Sequence, residues 1–151
     1  MWYRIFGRND SPLSPAALLE HLHRLGLMVE AHFRGDDLGW TAADLRLGPG
    51  TTVNVERYLT QADNLRNDFN NWAAILETCD YSPNNVALME RVIQSAQMIT
   101  LHKPIERAEE ISVDRMCLEV CRFLAEKCDG IYQIDADGWY DADGEMLLKE
   151  Y

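Results

Sequence analysis

The sequence predicts an α+β fold, a mixed or antiparallel sheet backed by helices. Three observations carry this. Apolar residues alternate with a period of two in several short segments and recur at helical spacing in others. These segments follow the order β-α-β-β-β, two helices, then β-α-β-β-β again. Two hexapeptides, Gly39–Asp44 (GWTAAD) and Gly138–Asp143 (GWYDAD), share Gly, Trp, Ala and Asp at an offset of 99 residues. The expectation is a duplicated βαβββ unit with a two-helix insert, folded as one domain over 1–151. The first half is 1–60, the helical middle 61–97 and the second half 98–151. Parallel pairing of the strands around each helix would make the sheet mixed.

Taken in order, Trp2 to Arg8 (WYRIFGR) reads as a strand. Ser11-Pro12 and Ser14-Pro15 open a helix, with serine as cap and proline in the first turn, and Gly26 stops it. From Leu27 to Arg34, Leu27, Val29, Ala31 and Phe33 share one face of a strand; Glu30, His32 and Arg34 share the other. Turns at Gly35-Asp36-Asp37 and Gly48-Pro49-Gly50 introduce two further strands, LGWTAADLRL and TTVNVERYL. In the middle, Leu65, Phe69, Trp72, Ala73 and Leu76 mark the buried face of a helix. The segment CDYSPNN breaks it, and Asn84 or Asn85 caps the next, with Val86, Met89, Val92, Ile93 and Ala96 inward. QMITLHKP is a strand ended by Pro104, and an acidic loop follows. A helix from Val113 to Lys127 then turns Met116, Cys117, Val120, Leu124 and Cys128 inward. GIYQI, GWY and EMLLKEY are three short final strands.

Composition narrows the function. With 47% hydrophobic and 26% charged residues, 151 residues suffice for one packed core. No apolar run approaches the ~18 residues that a membrane span needs. The opening MWYRIFGRND lacks the pattern of a signal peptide, so a cytoplasmic protein is expected. Cys117, Cys121 and Cys128 share one helix side, which suits buried reduced thiols better than a disulfide framework with Cys79. Net charge is −11, and residues 129–151 carry seven acidic residues against Lys149 alone. Such a surface repels phosphate backbones, so nucleic acid is excluded as a partner and a basic protein is favoured.

The segment DADGWYDADGE, Asp135 to Glu145, repeats Asp-Ala-Asp-Gly on either side of Trp139 and Tyr140. A twelve-residue calcium loop wants oxygens at positions 1, 3, 5 and 12. One register places Asp141, Asp143 and Glu150 at 3, 5 and 12 but Trp139 at 1; the other puts Gly144 at 12. Asp-Gly pairs favour tight turns between antiparallel strands, and turns are the expectation. No metal is expected, and calcium at the repeat is an alternative. Trp139 and Tyr140 framed by Asp135, Asp137, Asp141, Asp143 and Glu145 make a candidate acidic and aromatic binding patch.

Phosphate loops, H-E-x-x-H, C-x-x-C and G-x-S-x-G are absent. His21 and His23 point to different sides of their helix, and no cofactor is expected. The paired βαβββ order resembles the vicinal-oxygen-chelate family in topology. That resemblance implies an enzyme with a metal between the halves, for which His102, Glu56 and Glu150 are the candidate ligands. The leading expectation is a non-enzymatic, protein-binding or regulatory domain, similar in make-up to small acidic immunity or inhibitor proteins.

Overall fold

Residues 1–49, 51–104 and 110–151 are described in the computed structural model; most of the expected acidic loop and Gly50 fall outside them. The elements are β1 (Trp2–Gly7), α1 (Pro15–Arg24), β2 (Val29–Asp36), β3 (Gly39–Leu47), β4 (Thr52–Leu59) and α2 (Arg66–Glu77). There follow α3 (Asn85–Ile93), β5 (Gln97–His102), α4 (Ile111–Lys127), β6 (Gly130–Ile134), β7 (Gly138–Tyr140) and β8 (Met146–Lys149). All eight strands join one sheet, ordered β2-β3-β4-β5-β1-β6-β7-β8, with every neighbouring pair antiparallel. The fold is α+β.

Two expectations change. The strands flanking each helix do not pair: β3, β4 and β5 separate β1 from β2, and β1 itself lies between β5 and β6. With both sides of β1 taken, neither crossover can return beside the strand it left. Duplication is not confirmed either. The first meander meets the central β5-β1 pair through its last strand, β4, whereas the second meets it through its first, β6. The matching hexapeptides also part company, since Trp40 and Trp139 enter different cores.

Those cores lie on opposite faces of the sheet. One face packs against α1 and α4, with Tyr3, Ile5, Leu45, Val55, Ile99 and Tyr132 meeting Leu18, Leu22 and the α4 stripe. Ser14 Oγ accepts the Ala17 N–H at 3.2 Å, so the α1 cap forms as its sequence predicts. Along α4, Val113, Met116, Cys117, Val120, Cys121 and Leu124 are buried, each large apolar side chain contributing about 1.5–3 kcal/mol. Burial pushes the Cys117 and Cys128 thiols up to about 12, and all four cysteines are free. β1 approaches the end of this helix closely: a Cβ on Gly7 would lie 2.5 Å from Cys128 Sγ.

The other face is only half covered. α2 and α3 lie over Phe6, Ile131, Trp139 and Leu148, leaving Glu30, His32, Arg34, Arg46, Asn54 and Glu56 exposed on β2 to β4. In α3 the buried residues are Leu88 and Val92, one turn apart, while Val86 and Ile93 are 60% and 46% exposed. Of the residues expected inward on α3, Val92 is buried and Met89 packs against the same core. Val86 and Ile93 turn outward and Leu88 is buried instead, a shift of the face by part of a turn. Among the described residues, no helix is long and apolar enough to cross a membrane.

Candidate functional site

The half-covered face places α2 beside a row of side chains running across the sheet. Glu56 on β4 stands opposite Thr100, Thr100 opposite Arg4, Arg4 opposite Gln133, and Gln133 opposite Trp139. Above this row, Leu65, Asp68, Trp72, Ile75 and Cys79 follow one another at three- and four-residue steps and form one stripe of α2 and its flanks. Row and stripe enclose two hollows. The first, about 490 Å³, is lined by Trp2, Glu56, Tyr58, Asp63 and Asp68 among others. The second, about 350 Å³, is lined by Trp72, Ile75, Tyr81, Asp135, Glu150 and Tyr151 among others.

Arg4 stands between them. Its guanidinium lies 4.8 Å from the Trp72 ring centre and 5.8 Å from that of Trp2. Nη1 donates to Asp135 Oδ1 at 2.5 Å and to Gln133 Oε1 at 2.9 Å. Gln133 Nε2 then donates to Glu150 Oε1 at 2.8 Å, and the Ala136 N–H donates to Glu150 Oε2 at 3.1 Å. Sheet position makes this network possible: β1 is central, so its third residue, Arg4, reaches both α2 and the last meander. In the first hollow Tyr58 donates its hydroxyl to Glu56, and burial with that bond pushes its pKa up to about 12. The Trp2 ring lies against that of His102, centres 4.4 Å apart and planes tilted by 41°. Arg4 is the one basic residue lining either hollow among the described residues, against Glu56, Asp63, Asp68, Asp135 and Glu150. Aromatic walls with surplus carboxylate suit a cationic side chain, held by charge and by the ring faces.

A larger hollow of about 710 Å³ lies near the α2 start and the α3 end. Its charged lining residues are Asp10 and Arg66, of opposite sign, so size is its only claim. Chemistry favours the Arg4-divided pair.

No family model, curated protein or solved structure matches the chain. Its own geometry is the guide to the site.

The sequence-named residues divide accordingly. Asp135 and Glu150 join the second hollow, and Trp139 forms part of its floor. Trp139 is not a surface anchor, as the patch required: it is 1% exposed, stacked on Phe6 at 5.3 Å and edge-on to Trp72 at 5.8 Å. Tyr140 is partly buried against Tyr132 at 5.2 Å and donates its hydroxyl to Asp137 at 2.6 Å. The two DADG copies occupy the β6–β7 and β7–β8 turns, at opposite ends of a three-residue strand. At about 3.3 Å per residue, Asp137 and Asp141 are about 13 Å apart along the chain. Asp141 Oδ1 already accepts the N–H groups of Asp143 and Glu145, each at 2.9 Å. Asp143 and Glu145 stay near that turn, away from Glu150.

His102, Glu56 and Glu150 do not converge. Three strand spacings of about 4.8 Å separate Glu56 from Gln133, which holds Glu150. Among the described residues, no three His, Cys, Asp or Glu side chains come together in a metal-holding group.

Sequence reading missed Arg4, Trp72 as a site wall, Tyr81 and Tyr151. Tyr81 sits inside the helix-breaking CDYSPNN segment, and an aromatic residue among turn formers was the available signal. Its hydroxyl donates to Lys149 O at 2.7 Å and its ring meets Tyr151 edge-on at 5.3 Å.

Proposed function

We propose that this chain is a non-enzymatic domain, acting in the cytoplasm, that binds a basic protein segment along the trough divided by Arg4. The observation carrying this reading is the pair of aromatic-walled hollows in which five carboxylates face one arginine. Neighbouring cationic side chains of a partner would enter the two hollows, one against Trp2 and Tyr58, the other against Trp72, Tyr81 and Tyr151. Electrostatic steering by a chain of net charge −11 favours fast capture of such a partner. A regulatory or neutralising role, of the kind played by acidic inhibitors of basic proteins, follows from that chemistry. Its test is titration with a deca-arginine peptide at physiological salt, followed by calorimetry and tryptophan fluorescence. We expect saturable binding, weakened about tenfold or more, or about 1.4 kcal/mol, by Asp68→Asn with Glu150→Gln. Asp143→Asn with Glu145→Gln, outside the trough, should change it little. Equal weakening by both pairs would reduce the effect to net charge and sink the reading.

A further inference from the structure

The two edges of the sheet are treated differently. On β8, Asn84 Nδ2 donates to Leu147 O at 2.6 Å and Tyr81 donates to Lys149 O, so side chains occupy its outward carbonyls. On β2, the opposite edge, one end is met in this way: His23 Nε2 lies 3.2 Å from Val29 O. That contact sets the parity of the strand. Val29 directs its carbonyl away from β3, and by alternation the main-chain groups of Ala31 and Phe33 also face outward. Among the described residues, Glu30 to Asp36 present an edge with no strand beyond it.

The geometry points to a second copy of this chain as the occupant of that edge, paired antiparallel about His32. The parity allows Ala31 to exchange main-chain hydrogen bonds with the second copy's Phe33, and Phe33 with the second copy's Ala31. In the same register Glu30 faces the second copy's Arg34, and Arg34 its Glu30. Each charge is already paired within its own sheet, Glu30 with Arg46 at 2.6 Å and Arg34 with Asp44 at 2.8 Å. Pairing therefore extends a row of alternating sign, Arg46, Glu30, then Arg34 and Asp44 of the second copy. Centring on Ala31 would instead set Glu30 against His32, and centring on Phe33 would set it against Asp36, a like charge. The self-complementary Glu-x-His-x-Arg spacing selects one register. The irregularity between Arg34 and Gly35 limits regular pairing to the middle of the strand. A single short strand pair falls below the ~1,200 Å² of a standard interface, so the dimer is a weak one.

Cross-linking and sedimentation test this on the full chain in a Cys79→Ser background, which leaves only the three buried thiols. His32→Cys places two thiols across the two-fold axis, at a pair where Cα atoms lie about 4.5 Å apart, within disulfide reach. Mild oxidation should yield a covalent dimer. Glu30→Cys is the control, because the two substituted residues would be about 13 Å apart, four residues along the strands. Ala31→Pro removes an outward N–H and leaves pairing with β3 intact; circular dichroism verifies that it folds, and the variant should weaken association about tenfold or more. Comparable cross-linking of Glu30→Cys, or a wild-type chain monomeric up to millimolar concentration, overturns the proposal.

Discussion

Arg57 is the residue on which the loop between β1 and α1 depends. It is 4% exposed, and its guanidinium spends five donated bonds on neutral oxygens. These are Gln97 Oε1 at 2.8 Å and the carbonyls of Leu38, Trp40, Asp10 and Ser11 at 3.1–3.4 Å. Gln97 Nε2 completes the staple by donating to Asn9 O and Ser11 O. Burial lowers the Arg57 pKa, and the nearby carboxylates of Asp10, Asp36 and Asp63 oppose that shift. Arg57→Leu would strand several buried acceptors, at about 1–3 kcal/mol for each one left dry. We expect a loss of about 3 kcal/mol or more in urea unfolding, with Arg57→Lys recovering part of it. No sequence signal marked this residue, because the alternation of β4 gives the face of an arginine but not what closes over it. Trp139 is the opposite case: its place opposite Tyr140 in the alternation was readable, and its depth depended on Trp72 and Phe6 arriving from elsewhere.

At the scale of elements, the two DADG copies show how tertiary context overrides an identical tetrapeptide. In the first, Ile134 pairs with Gly138 and only three residues turn, with Ala136 at φ 60°. In the second, Tyr140 pairs with Met146, five residues turn, and Gly144 adopts φ 87°. The difference originates in the first aspartate. Arg4 and Gln133 engage the Asp135 carboxylate, so Glu150 must cap that turn, whereas Asp141 folds back onto its own loop. Asp141→Ala should thus lose about 1 kcal/mol of stability in denaturant, and Asp141→Asn, which keeps an acceptor oxygen, much less. Both β6 and β7 were legible to the residue, since turn formers bracket them on each side. The α3 face was not: its apolar residues surround the helix, and packing on Leu88 and Val92 chose among them.

For the whole molecule, the α+β class and the order of elements were legible, but the sheet order was not. Periodicity assigns a strand its faces; main-chain hydrogen bonds choose its neighbours and are blind to side chains. The trough inherits this limit, because Asp68 and Glu150 come to lie on either side of Arg4 only through the central place of β1. Alkali gives a global test of the packing. Burial raises the phenols of Tyr3 and Tyr132 well above 10.0, and raises Tyr58 and Tyr140 to about 12. The folded state therefore holds these protons more tightly than the unfolded one. Its stability is full below pH 10 and falls as pH rises towards 12 and beyond. Phenolate absorbance and far-ultraviolet circular dichroism should change together in that window; early, independent ionisation of the buried tyrosines would contradict their packing. The central strand has a further consequence, for synthesis. Trp2–Gly7 leaves the ribosome before the other seven strands of its sheet, yet its partners end at His102 and Ile134. Until β5 has emerged, β1 lacks both of its sheet partners, and a growing chain carries an unmatched strand that chaperones or neighbouring nascent chains can reach.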